Sequence, residues 1–170
     1  MSTGSSIWTE GKTEIAGTSL HVIQGGNGDP ILVLHDEKGQ TSPLRYADSL
    51  AQDFSLHMPA HPGFGVTEQL DWVMSVRDLA CWYLRVIEEL GLERVNLLGF
   101  SLGGWIAAEM ACQSPQSINK MALVAPTGIK PPKGDILDMF LIVAREYMEE
   151  CFLDSNSTPC LLYTSDAADE

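Results

Sequence analysis

The stretch Val95-Asn96-Leu97-Leu98 reads as a strand and Leu102 to Gln113 as a helix, with only Gly99-Phe100-Ser101 between them. So abrupt a change from strand to helix constrains this chain more than any other feature. A serine on such a turn is held in a strained backbone conformation, and small neighbours are needed because the chains approach closely. Gly99 and Gly103 supply that room, in the pattern Gly-x-Ser-x-Gly. The turn lifts the Ser101 hydroxyl above the sheet edge, at the N-terminus of the next helix. There backbone amides and the helix dipole favour developing negative charge, so the Leu102 amide is the expected donor to an oxyanion. A glycine-rich turn can also cradle a phosphate. That reading fails because the chain has no G-x-x-x-x-G-K-[ST], and no G-x-G-x-x-G opens a helix.

The rest of the chain supplies a frame for this turn. Ile15 to Gln24 reads as one or two short strands around Gly17, closed by the turn signal Gly25-Gly26-Asn27-Gly28-Asp29-Pro30. Ile31-Leu32-Val33-Leu34 is a continuous apolar run, expected of a strand buried on both faces. Leu44 to Gln52 reads as a helix with Pro43 near its first turn, and Phe54 to Met58 as a strand. Pro59 to Gly65 holds two prolines and two glycines and must be a loop. Ser75 to Leu90 is the clearest helix. Leu79, Trp82, Tyr83, Val86, Ile87 and Leu90 recur at three- and four-residue steps, Ser75 with Asp78 suggests an N-cap, and Gly91 is a stop. Met121 to Val124 reads as a strand, Pro126 to Gly134 as a loop, and Ile136 to Phe152 as an amphipathic helix. Strands alternating with helices over short connections imply an α/β fold with a mainly parallel sheet flanked by helices.

Composition excludes several function classes. A hydrophobic fraction of 45% in 170 residues rules out disorder, and four cysteines are too few for a disulfide scaffold. The longest tidy apolar run, Met139 to Ala144, falls far short of the roughly 20 residues that span a bilayer. Met1 to Ser6 carries no basic charge and leads to no apolar stretch, so no secretory signal is expected. A net charge of −13, from 10 basic and 23 acidic residues, weighs against nucleic acid, whose phosphates need clustered Lys and Arg. Cys81, Cys112 and Cys151 fall in expected helices without metal-ligand spacing, and are expected to be reduced packing residues in a cytoplasmic protein. No metal or other cofactor and no membrane partner is expected, and the oligomeric state is not readable. Trp72, Trp82 and Trp105 are candidate pocket residues, although helical spacing favours a core role for the last two. The last eleven residues, Cys160 to Glu170, resemble the translation of a sequencing adapter. They are set aside as a non-native tail, with the gene expected to be cut near Pro159.

Three motifs in order resemble the α/β-hydrolase family. Ile31-Leu32-Val33-Leu34-His35 looks like the family's third strand and the start of its oxyanion loop. His61-Pro62-Gly63-Phe64-Gly65 looks like its loop after the fourth strand, and Val95 to Gly104 like its fifth strand and nucleophile elbow. The likeness runs from Ile15 to about Asp154. It implies a core over residues 1–130 and the start of a lid over 131–159, ahead of the tail set aside over 160–170. It also implies that Ser101 is the nucleophile, with Leu102 and Glu37 as backbone oxyanion donors. Gly99 and Gly103 are the elbow glycines; His35, His61 and Phe100 are possible pocket residues. One departure stands at Asp36, where the family usually has glycine; a carboxylate aimed into the pocket would repel an oxyanion.

A serine hydroxyl needs a base to take its proton, and that base needs an orienting carboxylate. In this fold both follow the serine, in the order acid then histidine. The four histidines, His21, His35, His57 and His61, all precede Ser101. Of these, His61 is expected to be a loop anchor or pocket wall and His35 to hold the oxyanion loop, with His21 and His57 as plain strand residues. Asp135, Asp138 and Asp154 fall in the expected lid and carry no catalytic assignment. The chain is therefore expected to be a nearly inactive piece of a serine hydrolase that cleaves an ester or similar acyl bond of a small molecule. Three alternatives stay open: a carbon–carbon bond hydrolase, a cofactor-free haloperoxidase-like relative, and a non-catalytic binding protein on the same fold.

Overall fold

The computed structural model describes residues 7–134 apart from 16, 40–42 and 44. The expected helix from Ile136 to Phe152, Cys151 and the Cys160–Glu170 tail lie outside the described residues. The chain divides into two compact units, residues 1–129 and 130–170, and all the secondary structure described here belongs to the first.

Six strands form one sheet: β1 (Trp8–Ile15), β2 (Thr18–Gly25), β3 (Asp29–Leu34), β4 (Phe54–Pro59), β5 (Val95–Phe100) and β6 (Ile118–Val124), in the spatial order β1-β2-β4-β3-β5-β6. Among the described residues three α-helices accompany them, α1 (Arg45–Leu50), α2 (Val76–Glu89) and α3 (Leu102–Gln113), with a short 3-10 helix at Pro115–Ser117 before β6. The pairs β3–β4, β3–β5 and β5–β6 are parallel, while β1–β2 and β2–β4 are antiparallel. The fold is α/β with a mixed sheet, parallel where it carries the elbow.

The central strand has the pattern of a strand covered on both faces. Leu32 and Leu34 join a core with Trp82, Tyr83, Val86 and Ile87 of α2 and with Ile106, Ala107 and Met110 of α3. Their alternates Ile31 and Val33 join a second core with Ala47 of α1 and with Leu56 and Met58 of β4. Removing this much apolar surface from water is the main stabilising term, about 25 cal/mol per Å² buried. Helix α2 begins as the sequence suggests. The Ser75 hydroxyl accepts the Asp78 amide at 3.2 Å and donates to Asp78 Oδ2 at 2.8 Å. It ends at Gly91, whose φ of 70° is the left-handed conformation that stops helices.

Three expectations need correction. The first strand begins at Trp8, seven residues before Ile15, and the last at Ile118, three before Met121. Both lie at the edges of the sheet that the described residues form, where backbone pairing rather than burial holds the strand. Along β1 only Ile15 is buried, so no hydrophobic alternation marks it. Cys81 and Cys112 are not packing residues: both are free but exposed. The turn of α2 that buries Ala80, Trp82 and Tyr83 puts Cys81 on the outer side.

Candidate active site

The elbow is built from the ends of β3, β5 and β6 and the start of α3. Ser101 sits between β5 and α3 with φ 46° and ψ −110°, and it is one of two described non-glycine residues with positive φ. Such a conformation costs of order 1–3 kcal/mol and persists only where its surroundings enforce it. Those surroundings are visible. The Ser101 amide donates to the Val124 carbonyl at 3.0 Å, and its carbonyl accepts from Gly104, Trp105 and Thr127 at 3.0, 3.2 and 3.1 Å. The glycines follow from the same crowding. A methyl group at Gly99 would lie 2.5 Å from the Gly103 carbonyl oxygen, and one at Gly104 would lie 2.8 Å from the Pro126 Cβ. At Gly103 it would overlap the Leu34 carbonyl oxygen and approach that of His35 to 2.6 Å.

Serine at the start of a helix ordinarily caps it by accepting an amide. Ser101 does not: its half-buried hydroxyl caps nothing and has no hydrogen-bond partner among the described residues. Its φ of 46° and ψ of −110° are not the extended backbone from which a capping serine reaches those amides. Of the first amides of α3, Gly103 donates to the His35 carbonyl at 3.1 Å, while Gly104 and Trp105 return to Ser101. The Leu102 N–H has no acceptor among the described residues. Among the described residues a hydroxyl without a hydrogen-bond partner thus neighbours an amide without an acceptor at a helix N-terminus, which suits an electron-rich centre beside a tetrahedral carbon.

β3 and β5 are neighbours with Leu34 opposite Gly99, which brings the loop after β3 beside the elbow. In that loop Asp36 Oδ1 accepts the Lys38 amide at 3.0 Å, and the Asp36 carbonyl accepts the Gly39 amide at 3.3 Å. The carboxylate is therefore turned back along its own loop. Nor does Asp36 need glycine's freedom, since its φ is not positive. Glu37, the expected second donor, follows on this turn. Phe100 is half-buried with its ring 5.2 Å from that of Tyr46.

His35 and His61 are 7% and 0% exposed, with ring centroids 3.7 Å apart. Their protonation follows from their partners. His35 Nε2 receives the His61 amide at 2.9 Å, so it is bare, and Nδ1 carries the proton toward the Asp36 carbonyl at 2.6 Å. His61 Nε2 lies 2.9 Å from the His35 carbonyl, an acceptor only, so it carries the proton. His61 Nδ1 is left to accept from Tyr83 Oη at 2.5 Å. Both rings are neutral and fully engaged, so neither can take a proton from Ser101. His21 pairs with Glu10 at 2.8 Å, and His57 Nδ1 lies 3.0 Å from the Gln24 amide nitrogen, both on strands of the far half of the sheet.

Burial, with His35 beside it, pushes His61 down to about 3 from the ordinary 6.5, and burial also lowers His35 and His57. Above about pH 6.5 the rings are neutral folded or unfolded, and their buried hydrogen bonds contribute in full. Below it the unfolded chain binds protons that folded His61 refuses until about 3, so stability is lost progressively across that window. Between 6.5 and about pH 5, above the range where most carboxylates titrate, His61 alone is expected to cost about 2 kcal/mol. Urea unfolding at a series of pH values measures this. A flat stability between pH 7.5 and 5 would contradict the buried neutral rings.

Sequence reading missed Val124 and Thr127, whose carbonyl and amide hold Ser101 from the end of β6, and Ala125 between them. Ala125 shares the positive backbone angle, with φ 45°. The signal available was Pro126, whose ring fills the space that Gly104 leaves. Trp82 is core at 2% exposure, Trp105 is half-buried with Gly128 against its ring, and Trp72 is 53% exposed. Among the described residues no cluster of three or more His, Cys, Asp or Glu is placed to hold a metal. No helix among them is long and apolar enough to cross a membrane.

The model of one protein family, described as the alpha/beta hydrolase fold, matches residues 22–150, more than half of the chain. Among curated proteins, a pimeloyl-[acyl-carrier protein] methyl ester esterase of Nitrosomonas europaea is 31% identical over 114 residues, covering 64% of this chain and 42% of the esterase. The dihydrolipoyllysine-residue acetyltransferase component of the acetoin cleaving system of Cupriavidus necator is 28% identical over 106 residues, covering 62% of this chain and 28% of that protein. A putative lipase structure from Acinetobacter baumannii superposes with a TM-score of 0.69 at 27% identity, covering 76% of this chain and 45% of the lipase. The chain thus spans less than half the length of these relatives. Together with the glycine-packed elbow, the match establishes that the chain belongs to the alpha/beta hydrolase fold family, whose members include enzymes named hydrolases and esterases.

Proposed function

We propose that Ser101 is the nucleophile of a serine hydrolase that cleaves an ester or similar acyl bond of a small molecule. In this reading Oγ attacks the acyl carbon while its proton passes to a histidine. The displaced π electrons become an oxyanion that accepts from the Leu102 and Glu37 backbone amides. The alcohol then leaves with that proton, and water resolves the acyl-serine by the same route. The base and its carboxylate are assigned to polypeptide beyond this chain, because the two histidines beside the elbow are locked as hydrogen-bond partners. The 170-residue chain is accordingly expected to turn over very little. The observation that carries the reading is the uncapped serine at φ 46° on a strand-to-helix turn, and the esterase relative supports the acyl substrate class.

A fluorophosphonate probe applied to the full-length gene product tests it. Oγ should bond to phosphorus, fluoride should leave, and the base should keep the serine proton. Labelling at Ser101 that vanishes in Ser101→Ala is the expected result. Absence of label, or label on another residue, overturns the assignment.

A further inference from the structure

Tyr83 is fully buried on α2, and its hydroxyl reaches away from the apolar cluster to His61 Nδ1 in the loop after β4. His61 passes the contact on through Nε2–H to the His35 carbonyl at 2.9 Å. That carbonyl is shared, since it also accepts the Gly103 amide of the elbow helix at 3.1 Å. The same ring pair ties back through the His61 amide to His35 Nε2 and from His35 Nδ1 to the Asp36 carbonyl. One chain of bonds therefore runs from a tyrosine in the core to both sides of the oxyanion site: the loop bearing Asp36 and Glu37, and the turn bearing Ser101 and Leu102.

We propose that Tyr83 is a positioning residue for the acyl-transfer site, acting through the tautomer of His61. This rests on the reading of Ser101 as nucleophile. By donating to Nδ1, the hydroxyl leaves Nε2 as the protonated atom, the only arrangement in which His61 can donate to the His35 carbonyl. Without it, the ring either keeps that tautomer with a bare, buried Nδ1, or moves its proton to Nδ1. In the second case a lone pair on Nε2 faces the carbonyl and the clamp opens. The first outcome strands a buried polar atom, a cost that favours the second, and the second loosens the shared carbonyl and, with it, the spacing between the Leu102 and Glu37 amides. Displacements of about 1 Å at such sites cost up to 10²-fold in rate.

Tyr83→Phe in the full-length protein tests this, with p-nitrophenyl butyrate as substrate and fluorophosphonate titration to count competent sites. The expected result is a fall of about 10- to 100-fold in kcat per titrated site, with KM within about twofold. The pH at half-maximal rate should not move, because His61 carries no proton in the reaction. Nitrogen-15 spectra of the imidazoles should show wild-type His61 protonated at Nε2 alone from pH 5 to 8, and a mixed or exchanged tautomer in the variant. Unchanged kcat per titrated site overturns the proposal, since a purely structural tyrosine would lower only the number of competent sites. A wild-type His61 protonated at Nδ1 overturns it as well. Should Tyr83→Phe yield no folded protein, His61→Gln, which keeps a donor for the carbonyl, is compared with His61→Leu, which does not. A higher kcat per site for glutamine is expected, and equal values overturn the proposal. If wild type neither labels nor hydrolyses ester, the acyl-transfer reading has failed, while the spectra still report whether the clamp exists.

Discussion

Ser101→Ala in the full-length protein is expected to lower turnover of an acyl ester by a factor on the order of 10⁶, leaving about 10³- to 10⁴-fold over water. At about 1.4 kcal/mol per tenfold, the loss corresponds to about 8 kcal/mol of transition-state stabilisation. It should be confined to catalysis. Alanine carries the same Cβ as serine at φ 46°, and the hydroxyl makes no hydrogen bond among the described residues whose loss would weaken the fold. Thermal unfolding of the variant should therefore track wild type within about 0.5 kcal/mol. The residual rate belongs to the oxyanion amides and to substrate binding, which the substitution leaves in place. In the 170-residue chain, whose histidines all precede Ser101, the same substitution should change almost nothing. Steady-state hydrolysis measured in both lengths of polypeptide decides the matter. More than about 1% of wild-type turnover in the full-length variant would remove Ser101 from the chemistry.

How much of this could be read from the sequence depended on how local the physical cause is. The elbow was readable because its demands are local: a serine three residues past a strand, with glycines where a methyl group would strike backbone. The central strand was readable because burial on both faces leaves an uninterrupted apolar run from Ile31 to Leu34. Helix α2 was readable from both its buried face and its Ser75 cap. Edge strands gave no such sign. β1 is held by its pairing with β2 and spends Glu10, Lys12 and Glu14 on solvent. On β6 only Ile118 is buried, and Met121 and Val124 are 41% and 45% exposed. The bracing of the site was the least visible. Tyr83 and His61 are 22 residues apart, and an aromatic at helical spacing beside Trp82 reads as core. Nothing in the spacing tells which way its hydroxyl points. The same holds for Thr127, whose contribution is a backbone amide that any residue but proline would provide.

Gly103→Ala is the substitution expected to damage the fold most. The added methyl group would overlap the Leu34 carbonyl oxygen and come within 2.6 Å of the His35 carbonyl oxygen. Neither obstacle is a side chain that can rotate away. Leu34 is fixed in the sheet opposite Gly99 of β5, and the His35 carbonyl is held by the His61 ring. Relief must come from moving α3 outward. That movement stretches the 3.1 Å bond from the Gly103 amide to the His35 carbonyl. It also separates Ile106, Ala107 and Met110 from Leu32 and Leu34 in the core they share. Overpacking of a tight interior costs about 1–3 kcal/mol, and a lost hydrogen bond about 1 more. A loss of about 2–4 kcal/mol is therefore expected, a fall of about 5–15 °C in the unfolding midpoint of a chain this size. Gly11→Ala is the matched control. Its position on β1 has nothing within 4 Å of the added methyl group and no positive φ, so that variant should be unchanged or slightly more stable. Calorimetry on the two variants separates the crowded glycine from the open one. Equal midpoints would mean that the close approach of α3 to the end of β3, and with it the geometry that presents Ser101, is wrong.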